Sequence, residues 1–312
     1  MLKKLSASYI VAITGLLVLF ASCKKEYESI QDTDDSKIQQ FMSSNNLKMD
    51  KDSTGFYSSV TNPVSGDLLK STDSVLYHIS LKSMQSGTVY YADAANGNYG
   101  TLVGYTNSVS IYTATTSTGI AIEGIRRSLL KVIPGGTLRL LVPSYLAFGK
   151  NGSSTLGVPS NEVLDVTVTT FSNKKQSDLD DKKITDFIAA KGITGAVKDP
   201  AGIYYVITDP GTGTDIINLG TTITAKYTGR YLDGTTFDSS TDGTFSTALT
   251  SVIQAWGRTI PRIRKGGKIR IITPSRWAYG TAGSVNSSTG LLTIPRNAVL
   301  DFDIEVTDVA NK

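Results

Sequence analysis

The sequence predicts an α+β protein built from two tandem copies of one domain, and three observations lead there. Segment by segment, the two halves of the 312-residue chain repeat one another. Short runs rich in Val, Ile, Thr and Tyr alternate apolar and polar residues between glycine-marked turns, the pattern of half-buried strands. Each copy also opens on a segment with apolar residues at helical spacing. A chain of this length exceeds one ordinary domain and divides into two, each able to bury a core.

Taken in order, the chain begins with Lys3 and Lys4 ahead of a mostly apolar run from Tyr9 to Phe20. That run is too short to span a bilayer comfortably and is typical of an export signal. It ends in Leu19-Phe20-Ala21-Ser22-Cys23, which resembles a bacterial lipobox with Phe20 where leucine is usual. The resemblance implies a signal peptide over residues 1–22 and diacylation of Cys23 as the first mature residue. It further implies a polar tether over 23–33 and a lipid-anchored place in the bacterial cell envelope. A free cysteine in an ordinary signal, or a single-span anchor, is the alternative reading. Cys23 is the only cysteine, so no intrachain disulfide can form.

The two copies are expected over residues 34–172 and 180–312, joined by a polar linker at 173–179. Asp34-Asp35-Ser36-Lys37-Ile38 parallels Asp180-Asp181-Lys182-Lys183-Ile184, and each stretch predicts a short amphipathic helix behind an aspartate cap. Gly55-Phe56-Tyr57 matches Gly202-Ile203-Tyr204, and the run from Pro134 to Pro143 matches that from Lys265 to Pro274. In the closing strand Leu300, Phe302, Ile304 and Val306 alternate with Asp301, Asp303 and Glu305, one face apolar and the other acidic. Leu164 to Val168 repeats the pattern.

Composition excludes several kinds of chemistry. Removing Lys3 and Lys4 from 31 basic residues leaves 29 against 27 acidic ones, and no basic stripe suggests a nucleic-acid partner. The sole histidine, His78, has no cysteine near it in the chain, which argues against a metal site or a Ser-His-Asp triad. Gly211-Thr212-Gly213 lacks the lysine and helix start of a phosphate loop. No metal or organic cofactor is implied.

The second copy carries a specific constellation: Tyr227-Thr228-Gly229, Asp233-Gly234 through Phe237-Asp238-Ser239-Ser240, Val252-Ile253-Gln254-Ala255-Trp256, Trp277-Ala278-Tyr279-Gly280 and Ile294-Pro295. In order and spacing it resembles the FKBP-type peptidyl-prolyl isomerases. Any one of these aromatics alone is more often plain core; their conjunction carries the resemblance. It implies two tandem FKBP-like domains, each a curved antiparallel sheet wrapped round a short helix, here near Ser251 to Ile263. It implies a proline pocket in which Tyr227, Phe237 and Phe245 are walls and Asp238 is a polar rim residue. Val252 and Ile253 would open the helix, with the Ile253 N–H meeting a substrate carbonyl. Trp256 would be the floor and Tyr279 a wall with a hydroxyl donor, while Ile294 and Phe302 close the remaining side. Substrates would be proline-containing polypeptides.

Set against these positions, the first copy has Ser80 for Tyr227, Tyr90 and Tyr91 for Phe237 and Asp238, and Ile122 for Ile253. It has Ile125 for Trp256, Phe148 for Tyr279, Val158 for Ile294 and Val166 for Phe302. The first domain is therefore expected to fold alike and to isomerise poorly or not at all. The second copy departs from the family too: Thr247 replaces an aromatic, Pro261 interrupts the helix, and the loop from Thr281 to Thr293 is long. The function expected is isomerisation of X-Pro bonds in exported proteins; the alternative is a non-enzymatic lipoprotein that uses the same fold to bind a peptide or partner.

Overall fold

The computed structural model describes residues 28–310 other than 64, 107, 113–116, 287 and 290, and between 107 and 120 it describes the backbone only. The signal segment and Cys23 lie outside the described residues, among which no helix is long and apolar enough to cross a membrane.

The first domain runs α1 (Ile30–Ser44), β1 (Asp50–Lys51), β2 (Tyr57–Thr61), β3 (Ser74–Ser83), β4 (Val89–Ala92), β5 (Tyr99–Leu102), β6 (Ser108–Tyr112), β7 (Ser117–Ala121), α2 (Glu123–Leu129), β8 (Thr137–Val142) and β9 (Leu164–Thr170). The second runs α3 (Gln176–Ala190), β10 (Val197–Lys198), β11 (Tyr204–Asp209), β12 (Thr222–Tyr231), β13 (Thr236–Ala248), α4 (Gln254–Thr259), β14 (Lys268–Thr273), β15 (Ser284–Val285), β16 (Leu292–Ile294) and β17 (Leu300–Ala310). The main sheets share one antiparallel topology, β1-β2-β8-β9-β3-β4 and β10-β11-β14-β17-β12-β13. Both domains are thus α+β, with the sheet between an outer helix and a short inner one. Pro261 lies in the 3-10 turn that follows α4, so the inner helix of the second domain is only six residues long.

The outer helices correct one expectation. They begin earlier than an aspartate cap would place them, at Ile30 and Gln176, and α3 takes in residues 176–179 of the segment read as linker. Asp34 and Asp180 are instead buried inside the helices, where each carboxylate accepts from the backbone and hydroxyl of a serine across the domain. The distances are 2.7 and 2.7 Å from Ser144 and 2.9 and 2.7 Å from Ser275. A buried carboxylate must find such donors. The neighbouring aspartates tie the same helices to the sheet. Asp35 bonds Lys51 and Tyr57, and Asp181 bonds Lys198 at 2.5 Å and Tyr204 at 2.9 Å. Between these polar staples, Ile38 packs in a cluster with Tyr57 and Leu141, and Ile184 and Phe187 in one with Tyr204 and Ile272.

The acidic face of the closing strand is not wholly solvated either. Asp301 is buried and receives a two-pronged guanidinium bond from Arg270, 2.8 Å at each oxygen, with Arg230 at 3.4 Å. Asp165 sits identically between Arg139, at 2.9 and 2.7 Å, and Lys82 at 3.3 Å. Duplication therefore extends to buried ion pairs as well as to the apolar pattern.

Strand pairing fixes how the copies superpose. Leu81 lies opposite Tyr91 and Val166, as Gly229 lies opposite Asp238 and Phe302. The counterpart of Tyr227 is consequently Ile79 and not Ser80, which falls at Thr228. The β3–β4 turn is one residue longer than the β12–β13 turn, and this shifts the offset between the copies on one side of the hairpin. Tyr90 and Tyr91 remain the counterparts of Phe237 and Asp238.

Candidate active site

The concave face of the second sheet and α4 enclose a cavity of about 410 Å³. Each wall has a local cause. Alternation along β12 turns Ala225, Tyr227 and Gly229 to the concave side. Asp233-Gly234 makes the following turn, with Gly234 at φ 94° and the Thr235 N–H bonded to Asp233 Oδ1 at 2.8 Å. This returns the chain along β13 and carries Phe237 and Asp238 to the rim. Ile253 is the N-cap of α4, and its carbonyl accepts from the Trp256 N–H at 3.0 Å, placing the indole one turn into the helix under the cavity. No acceptor among the described residues takes the Ile253 N–H. Tyr279 follows a 3-10 turn at Ser275–Trp277, pinned by the Trp277 indole N–H on the Ala201 carbonyl at 2.8 Å.

The aromatic rings meet edge to face. Trp256 stands 5.2 Å from Tyr227 at 77° and 5.6 Å from Phe302 at 90°, while Phe237 meets Phe302 at 5.6 Å and 88°. Such packing leaves ring faces and edges lining the opening and holds the rings stiff. Gly229 makes it possible: a Cβ there would lie 2.7 Å from Phe237 and 2.8 Å from Phe302.

Polar groups are few and placed at the edge. The Tyr227 hydroxyl donates to Asp238 Oδ2 at 2.6 Å. Burial, then the Asp238 carboxylate, pushes the Tyr227 phenol well above its ordinary value, so it remains a donor at any physiological pH. Burial and the same carboxylate also raise Tyr279, a residue that is 37% exposed. The indole N–H of Trp256 is buried and has no hydrogen-bond partner among the described residues, which is uncommon for a buried donor.

Of the residues expected in the pocket, Tyr227, Phe237, Asp238, Phe245, Val252, Ile253, Trp256, Tyr279 and Phe302 line this one cavity. Ile294 does not: it is buried in the core at the end of β16. Ser251 and Ala278 also line the cavity; Ala278 belongs to the quoted Trp277–Gly280 motif, where only Tyr279 is given a role, and Ser251 adjoins Val252 at the start of the expected helix. In the first domain the register of Gly229 holds Leu81, which is 1% exposed. Its side chain fills the position that glycine leaves open, beside Val166 and Tyr90. Described side chains elsewhere form no cluster of His, Cys, Asp and Glu suited to a metal ion.

Comparison with known proteins bears on the second domain. A family model for FKBP-type peptidyl-prolyl cis-trans isomerases matches residues 213–307. The chain is 36% identical over 119 residues to the FKBP-type peptidyl-prolyl cis-trans isomerase FkpA of Buchnera aphidicola subsp. Schizaphis graminum, across 38% of this chain and 44% of that protein. It is 35% identical over 117 residues to FkpA of Escherichia coli strain K12, across 37% of this chain and 40% of that one. The chain thus spans less than half the length of these curated relatives. The crystal structure of E. coli FkpA aligns with 44% of this chain and 61% of its own at 31% identity and a TM-score of 0.37.

Proposed function

With residues 213–307 belonging to the FKBP-type peptidyl-prolyl cis-trans isomerase family, we propose that this protein isomerises X-Pro bonds of exported polypeptides and that the second domain alone carries the activity. The carrying observation is the aromatic cavity floored by Trp256 and rimmed by the Tyr227–Asp238 pair.

The chemistry asks for such a site. Rotation about the prolyl amide crosses a barrier of about 18–20 kcal/mol because it destroys resonance. The planar amide is more dipolar than the twisted one, so moving it from water to an aromatic cavity withdraws solvation chiefly from the ground state. The rings of Tyr227, Phe237, Trp256 and Phe302 supply that surrounding. The Tyr279 hydroxyl and the Ile253 N–H hold flanking carbonyls while the imide turns, binding the twisted geometry better than the planar one. No nucleophile and no general base is required.

In this reading the first domain is inactive because Leu81 and Ile125 stand where Gly229 and Trp256 open and floor the cavity. The chain is carried to the cell envelope by its signal segment and tethered there by lipid on Cys23. The decisive test is a protease-coupled prolyl-peptide assay on the full chain with Trp256→Ala and Asp238→Ala variants. Acceleration by the native chain and its loss, by roughly a hundredfold, in Trp256→Ala are expected. Equal, uncatalysed rates in all samples reject the enzyme and leave a peptide-binding protein. Activity undiminished by either change would put the catalytic site elsewhere.

A further inference from the structure

A connected set of polar contacts joins the first domain to the Tyr279 turn of the second. The bulge between β4 and β5 leans on the corner Pro295-Arg296-Asn297. There the Asn98 N–H donates to the Arg296 carbonyl at 3.1 Å, and Asn297 Nδ2 donates to the Asn98 carbonyl at 3.1 Å. The Asn98 amide group donates to Gln176 Oε1 at 2.8 Å and to the Tyr99 carbonyl at 3.1 Å. Its oxygen accepts from Gln176 Nε2 at 3.2 Å and Lys183 Nζ at 3.3 Å. Asn98 and Asn297 are both buried. A Cβ on Gly97 would stand 2.6 Å from the Arg296 carbonyl and 2.7 Å from the Pro295 ring, so the seam closes at backbone contact.

Two routes lead from Asn98 to Tyr279. Along the first, Gln176 Nε2 donates to Asp180 Oδ1 at 2.7 Å, and Asp180 Oδ2 grips Ser275, whose carbonyl accepts the Gly280 N–H at 2.8 Å. Along the second, Asn297, at φ 54°, donates its N–H to the Gly280 carbonyl at 2.8 Å. The Ser275–Gly280 turn is therefore held from both sides by groups whose outer bonds end on Asn98.

The repeat supplies the comparison. Asn161, at φ 57°, bonds the Gly149 carbonyl at 2.8 Å just as Asn297 bonds Gly280, and Asp34 grips Ser144 as Asp180 grips Ser275. Ile30 stands where the second copy has Gln176, and Asp34 Oδ1 has no hydrogen-bond partner among the described residues. The link through Gln176 belongs to the copy that keeps the cavity.

We propose that Asn98 and Gly97 of the first domain are positioning residues that clamp the Tyr279 turn of the second domain's pocket. The clamp rests on the reading of that pocket as an isomerase site. Its test uses the full chain and two readouts, peptide isomerisation resolved into kcat and KM, and amide hydrogen exchange over residues 275–283. Gly97→Ala pries the seam open. Asn297→Gly keeps the left-handed backbone and removes the side-chain bond, and it carries the test should Gly97→Ala fail to fold. Asn161→Gly is the matched control in the first domain. Expected are exchange over 275–283 faster by about tenfold in the first two variants and a fall in kcat of roughly tenfold with KM little changed. Asn161→Gly should alter neither. Native-like exchange over 275–283 in both seam variants overturns the proposal, as does acceleration spread evenly over the second domain, which marks general loosening. Should the native chain not isomerise peptides, the enzyme reading fails, and the exchange arm still decides whether the clamp exists.

Discussion

Gly229 is where the pocket depends most on a single atom's absence. Its φ lies outside the left-handed region, so alanine is conformationally acceptable there, and the consequence of Gly229→Ala falls on the Phe237 and Phe302 rings that its Cβ would meet. We expect isomerase activity to drop at least tenfold while denaturant unfolding moves by about 1 kcal/mol. An alanine variant with native activity would show that these rings do not shape the reacting site. Most of the pocket was legible in the sequence, because aromatic residues at motif spacing identify themselves. Leu81 was not, since a turn one residue longer in the first copy displaces the alignment there and put Ser80 in place of Ile79. Ile294 packs in the same cluster as Tyr227, Trp256 and Phe302, and its motif places it near the pocket without saying whether its side chain reaches the opening.

At the scale of elements, the outer helices are held by carboxylates, and this gives them a pH dependence. Hydrogen bonds from Lys51 and Tyr57 hold the Asp35 carboxyl below its ordinary value. Burial pulls Asp181 upward, but the bonds from Lys198 and Tyr204 outweigh it, and it too lies low. A carboxyl depressed in the folded state contributes stability above its unfolded value, about 4, and that contribution is lost as pH falls through the folded value. Urea unfolding followed by circular dichroism should therefore give a midpoint that declines below about pH 4, and Asp35→Asn with Asp181→Asn should flatten the decline. An unaltered acid limb in the double variant would assign the dependence to other groups. The helices themselves were legible from apolar spacing. Their starting points were not, because an aspartate ahead of an apolar run reads the same whether it caps a helix or is buried within one.

Over the whole molecule, duplication was the most legible feature: it repeats in the motifs and then in the Arg270–Asp301 and Arg139–Asp165 pairs. The seam was invisible, because Asn98 and Asn297 are far apart in sequence and neither belongs to a periodic pattern. The proposed lipid attachment at Cys23 belongs to the scale of the entire chain. Replacing Cys23 with serine should move the protein from the membrane to the soluble fraction on cell fractionation and abolish incorporation of labelled fatty acid. Continued membrane association without label would point to a different anchor.

The contrast between Leu81 and Gly229 also describes what each half has given up. Filling a core position with a leucine side chain contributes roughly 1.5–3 kcal/mol, and the second domain forgoes that contribution at the same register to keep an opening among its rings. The two halves thus stand as one architecture in two states of compromise, one with a buried leucine at this register and the other with a cavity lined by its aromatic rings.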